Sequence, residues 1–178
     1  MVRLLTLAVC LATVPGLPAD EALLPALRPN ATIVFIGDSI TDGGRARTGS
    51  DFNHTMGQDY AFILAAQLGA RLAERNLAFV NRGIGGDRVL DLQARWKTDV
   101  LDLKPDVLSV LVGINDTLAP RGETLEQFAE IYDRLLRDTL AALPNIRIVL
   151  GEPFLLPVGK YQASYAATLA AVKKRQDV

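Results

Sequence analysis

Apolar positions in this chain come in two patterns, short unbroken runs and longer stretches of helical period, and the two alternate. The run 33–36 (Ile33, Val34, Phe35, Ile36) has no polar break and stops at Gly37. That is how a strand buried on both faces of a parallel sheet reads, and it predicts a first strand at about 32–37. Further strands are predicted at 77–80, 107–112 and 146–150, the first three each closing at a glycine-bearing turn.

The intervening stretches have a period near 3.6. Tyr60, Ile63, Leu64, Leu68 and Leu72 make one stripe of a helix over about 58–71. Val89, Leu92, Trp96, Val100 and Leu103 make another over 88–103, with Asp87 as its natural N-cap. This stripe places Trp96 in the core rather than on a sugar platform. Thr124 and Gln127 form a capping box for a helix that Pro144 closes. Its inward face is Leu125, Phe128, Tyr132, Leu135 and Thr139, and Glu130 with Arg134 and Asp133 with Arg137 are i,i+4 pairs on the wet face. A last helix begins near 160 with Tyr165, Leu169 and Val172 inward. Between the first strand and first long helix, 42–57 reads as a polar, glycine-rich loop without structure of its own, a length typical of functional or mobile loops. Strand and helix in alternation predict parallel βαβ units with right-handed crossovers, hence a doubly wound α/β sheet with helices on both faces.

Composition narrows the function. With 178 residues, 49% of them hydrophobic, and a net charge of −1, the chain suits one globular domain, and the lack of any basic run excludes nucleic acid as a partner. Arg3, the apolar run 4–14 and the small-residue zone 15–19 match a secretory signal, so 1–19 is expected to be removed and 20–178 to form the domain, secreted or periplasmic. The apolar run is too short for a bilayer span, so no stable membrane insertion is expected. Cleavage after Ala19 removes Cys10, the only cysteine, and His54 is the only histidine. Disulfides, thiol catalysis and Cys- or His-rich metal sites are thereby excluded, and no metal or cofactor is expected.

Candidate chemistry lies at three predicted strand ends: Ser39 after Gly37-Asp38, Gly86 within Asn81-Arg82-Gly83-Ile84-Gly85-Gly86, and Asn115 in Gly113-Ile114-Asn115-Asp116. In a parallel sheet these ends share one rim, where ligands of open α/β folds bind. Ser39 is either a nucleophile or the N-cap of a helix. As a nucleophile it needs donors for the oxyanion formed on the attacked carbonyl; its own N–H, the Gly86 N–H and the Asn115 carboxamide are suited to that.

These three blocks, in this order and spacing, resemble those of the SGNH hydrolases, also called GDSL esterases and lipases, over nearly all of 33–154. The resemblance implies a flavodoxin-like three-layer α/β/α sandwich, Ser39 as nucleophile, and Ser39 N–H, Gly86 N–H and Asn115 as the oxyanion hole. The strings Ser39 to Arg45, Asp91 to Trp96 and Gly113 to Asp116 are most similar to those of bacterial acetylxylan esterases and related carbohydrate O-acetylesterases. A small-molecule or polysaccharide ester is then the expected partner.

One departure stands out. The family's last block, an Asp and a His that furnish the general base, has no counterpart here, and His54 reads as a loop or rim residue. The final helix also reaches Val178 with neither glycine cap nor proline stop. The expectation is a chain lacking the C-terminal strand and catalytic loop, with feeble or no turnover. Three other readings compete. A nucleotide-binding domain is disfavoured because Arg88 holds the third glycine position of a dinucleotide fingerprint. A non-catalytic carbohydrate-binding relative fits the missing base but not the donor trio. A lysophospholipase or thioesterase fits poorly with the polar 45–59 loop.

Overall fold

The computed structural model describes residues 27–49 and 51–178; the expected signal segment lies outside them. Four parallel strands form one sheet: β1 (Thr32–Gly37), β2 (Ala78–Asn81), β3 (Val107–Leu111) and β4 (Arg147–Gly151), in the order β2-β1-β3-β4. The unbroken run in β1 is explained by alternation across a sheet covered on both sides. Ile33 and Phe35 point to one core with Leu27, Met56, Ala61 and Ala65, while Val34 and Ile36 point to a larger one with Leu92, Trp96, Phe128 and Leu135. The three-layer α/β/α expectation is met.

On the first face lies α3 (Tyr60–Arg71). Its buried positions are Ala61 and Ala65, whereas Ile63 and Leu64, expected inward, are exposed. The large side chains misled: the face turned to the core with Ile33 and Phe35 is the one carrying the two alanines. On the other face lie α4 (Val89–Asp99) and α6 (Leu125–Ala142). Val89, Leu92, Trp96 and Val100 are all buried as expected, but the helix stops at Asp99 and continues as a 3₁₀ turn, Leu101–Leu103, ending at Lys104 with φ 48°. The indole Nε1–H of Trp96 donates to Thr139 Oγ1 at 2.8 Å inside the core, joining the two helices. The Thr124 capping box forms as read, with Thr124 N donating to Gln127 Oε1 at 2.9 Å and Gln127 N to Thr124 Oγ1 at 3.2 Å. Asp133 pairs with Arg137, but Glu130 and Arg134 do not pair.

The 42–57 stretch is more ordered than its composition implied. It holds the end of a one-turn helix α1 (Ser39–Asp42), and α2 (Phe52–Met56), whose Met56 is buried under β1. Asn81, at the end of β2, explains why: its carboxamide donates to the carbonyls of Thr41 (2.6 Å) and Met56 (2.8 Å) and accepts from Gly83 N (2.8 Å). A short helix α5 (Ile114–Leu118) follows β3, and α7 (Tyr165–Gln176) follows β4 and a 3₁₀ turn at Gly159–Tyr161. Val172 of α7 is buried against Ile114 and Leu155, with Tyr165 packed beside them. β4 is an edge strand among the described residues, with Val149 and Leu150 exposed.

Candidate active site

The carboxyl ends of β1, β2 and β3 bring the three sequence-predicted turns together. Strand register sets the framework, pairing Gly37 with Leu111 and Phe35 with Asn81. Beyond β2 the chain folds back over β1, with Arg82 N donating to Phe35 O at 2.7 Å and Ile84 N to Gly37 O at 3.0 Å. This puts Gly85 directly against the serine, since a Cβ on Gly85 would lie 3.7 Å from Ser39 Cβ. Asn115 reaches the same turn from β3, its Nδ2 donating to Asp87 O at 3.0 Å. Ser39, Gly86 and Asn115 therefore occupy one rim, with Ser39 and Gly86 exposed and Asn115 half-buried.

The two readings of Ser39 separate at its neighbour. Asp38 is the N-cap of α1, its Oδ1 accepting from Ile40 N at 2.9 Å, so Ser39 is the first helical residue. Its hydroxyl has no hydrogen-bond partner among the described residues. Neither do the Ser39 and Gly86 N–H groups, and the Asn115 carboxamide spends one of its two N–H bonds on Asp87, which fixes its plane. At Gly86, φ is +89° and a Cβ would meet nothing within 4 Å, so this turn needs glycine for its backbone and opens to solvent.

Charged groups that sequence reading missed hold these turns from behind. Asp42 is buried beneath the Gly83–Gly86 turn; its Oδ2 accepts from Gly85 N at 2.9 Å and from Arg47 Nη2 at 2.6 Å. Burial acts to raise its pKa, but Arg47 and the backbone donors outweigh it and hold the carboxyl below its ordinary range. Arg45 and Arg47 both donate to Gly83 O, at 2.9 and 3.1 Å. Asp116, fully buried, accepts from Val89 N at 3.0 Å through Oδ1, while Oδ2 has no partner; burial pushes its pKa up. Arg175, on α7, donates to Asp116 O at 2.7 Å with its guanidinium 5.5 Å from the Phe128 ring centroid. Asp38 is fully buried as well, and burial, reinforced by the Asp116 and Asp87 carboxylates, raises it from 3.8 to about 6 against the opposing Ile40 N–H.

Two expectations need correction here. Asp87 does not cap α4: the cap position is Arg88, whose N–H bonds Asp91 Oδ2 at 3.0 Å, and the Asp87 carboxylate instead takes Arg95 Nε at 2.8 Å. Arg95 is drawn in because it also donates to the carbonyls of Arg82 (2.7 Å) and Gly37 (3.2 Å). The loop 42–57 is not structureless, as its Asn81 and Arg47 ties show. His54 sits exposed on α2, its Nδ1 3.7 Å from Asp51 Oδ2, and bonds nothing at Ser39.

This fold and rim define a class. Residues 35–178 match the GDSL-like lipase/acylhydrolase family, and the chain belongs to it. It is 37% identical over 131 residues to an acetylxylan esterase of Geobacillus stearothermophilus, a match covering 70% of this chain and 60% of that esterase. The chain thus spans less than two thirds of that relative's length. The crystal structure of Axe2, an acetylxylan esterase from the same organism, superposes with a TM-score of 0.67 at 30% identity, covering 85% of this chain and 74% of that one. LAE5, an alpha/beta hydrolase enzyme from the metagenome of Lake Arreo, superposes with a TM-score of 0.68 at 30% identity, covering 85% and 75%. Further Axe2 structures carry alanine in place of a serine, an aspartate or a histidine, each described as a catalytic mutant.

Proposed function

We propose that this protein is a serine esterase that removes short acyl groups, chiefly acetyl, from carbohydrates. The observation that carries the reading is the rim itself: an exposed, unpartnered serine hydroxyl with unspent donors at Ser39 N–H, Gly86 N–H and Asn115 Nδ2. Ser39 Oγ attacks the ester carbonyl, and the negative charge that develops on the carbonyl oxygen is met by these donors. Collapse expels the sugar alcohol and leaves an acyl-serine, which water then hydrolyses. The sugar assignment draws on the polar side chains of the 45–59 loop and on the acetylxylan esterase relative.

The proton of Ser39 must go to a base, and no histidine touches Ser39 among the described residues. Turnover by this chain is therefore weak, and free imidazole can stand in for the base. Residues 1–19 are proposed as an export signal preceding a single domain at 20–178, with action outside the cytoplasm; a relative 38% identical over 86 residues is described as a lipoprotein.

The test is acetate release from p-nitrophenyl acetate and from acetylated xylo-oligosaccharides as imidazole is raised. Over the hydrolysis that imidazole causes by itself without protein, a protein-dependent rate that saturates with substrate and rises with imidazole should be present in the native chain and absent in Ser39→Ala. Equal rates in the two proteins refute the nucleophile. Asn115→Ala should lower kcat by about 10²–10³ with little change in KM, because its contact is made chiefly in the transition state.

A further inference from the structure

A cavity of about 430 Å³ opens beside the rim, between the first turn of α4 and the face of α6. Its volume lies within the range of about 300–1,000 Å³ common to small-molecule sites. Leu90 and Ile131 give it an apolar floor, and Glu123, Gln127, Glu130 and Arg134 line the rest. The unspent hydrogen-bonding groups of this lining are those of Gln127, Glu130 and Arg134. The Glu123 side chain is only 2% exposed, yet its Oε1 has no hydrogen-bond partner; the nearest cation, Arg88 Nε, is 3.9 Å away. Its Oε2 accepts from Arg121 N at 2.9 Å, so this carboxylate is held within the protein and forms the wall of the cavity. Gln127 uses its Oε1 on the helix cap and keeps its amide N–H groups free. Glu130 and Arg134, spaced to pair with each other, form no ion pair with any described residue and both face the cavity.

The cavity is joined to the candidate active site through Arg88. Its Nη1 donates to Gly86 O at 3.4 Å and its Nε to Ala119 O at 2.7 Å, so one side chain separates the Glu123 carboxylate from the turn that carries Gly86. Arg88 thus links the wall of the cavity to the turn that carries Gly86.

We propose that this cavity is a subsite for a neutral pyranose residue of the carbohydrate whose ester is presented at Ser39, an inference that rests on the esterase reading. Arg88 offsets Glu123, and Glu130 offsets Arg134, so the lining carries no net charge to favour an ion of either sign. The unspent polar groups disfavour an acyl chain. A neutral sugar satisfies the exposed ones: its hydroxyls donate to Glu130 and accept from Arg134 and Gln127, and its C–H face lies on Leu90 and Ile131.

The test uses an oligosaccharide without any acetyl group, so that Ser39 chemistry plays no part. Xylotetraose titrated into the ¹⁵N-labelled full chain should shift the amides of Leu90, Glu123, Gln127 and Ile131. Arg134→Ala and Glu130→Gln, both at exposed positions that leave the core intact, should each weaken the apparent Kd by about tenfold or more. Absence of shifts at the cavity, or shifts that neither substitution alters, overturns the proposal. Ester hydrolysis with no saccharide at the cavity removes this inference and leaves the esterase; saccharide at the cavity with no Ser39-dependent hydrolysis does the reverse.

Discussion

Asp38 lies next to the proposed nucleophile and is fully buried, which makes its charge measurable through stability. Burial is the main cause of its rise from 3.8 to about 6; the Asp116 and Asp87 carboxylates add to it, and the Ile40 N–H works against it. In the unfolded chain the group titrates at its ordinary value, so between those two pH values the native state holds the proton and the unfolded state does not. The stabilisation from this group is therefore complete below about pH 3.8 and is lost as pH rises through about 6. A gap of that size corresponds to roughly 3 kcal/mol. Asp38→Asn removes the titration and keeps an oxygen to accept from Ile40 N. Urea unfolding at pH 4 and pH 7.5 should show the native protein losing roughly 2.5 kcal/mol more than the variant across that interval, the remainder of the effect lying below pH 4. Parallel pH dependences in the two proteins, or a steeper fall in the variant, would refute the claim that this carboxyl is held protonated by burial.

Other outcomes are equally specific. Gly83→Ala places a Cβ 2.3 Å from Asp42 N and 2.6 Å from Thr41 C, both backbone atoms that cannot swing aside. It should cost at least about 2 kcal/mol in chemical denaturation. Trp96→Phe leaves Thr139 Oγ1 without its indole donor inside the core, for a loss of about 1–3 kcal/mol. Arg47→Met removes the Asp42 partner; as the Arg47 side chain is 48% exposed, stability should change by under about 1 kcal/mol. The same variant should move the Asp42 carboxyl upward in a carbon-detected NMR titration.

The parts of this molecule that could be read from sequence are those whose neighbours in space are announced by pattern. Ile33 to Ile36 show their two-sided burial in their own identities, and the turns at Ser39, Gly86 and Asn115 follow once the strands are parallel. Ala61 and Ala65 were overlooked because a small residue facing the core looks the same in sequence as a small residue facing water. α1 and α2 are four and five residues long, too short for a period to show. Asp42, Asn81 and Asp116 escaped notice for a third reason. A polar residue that serves a backbone N–H or carbonyl 25 to 43 positions away carries no local mark of doing so. The one available signal was position: each sits within a turn that closes a buried strand.

Arg175 gives the far helix a stake in the rim. Its bond to the Asp116 carbonyl and its seat on Phe128 span α7, the Asn115 turn and α6 with a single side chain. Linkage makes such a bond two-way: a transition-state mimic that quiets the Asn115 turn must, by the same free energy, slow amide exchange in the closing turns of α7. A protease that trims that helix would accordingly loosen the proposed catalytic rim from a distance, without touching Ser39.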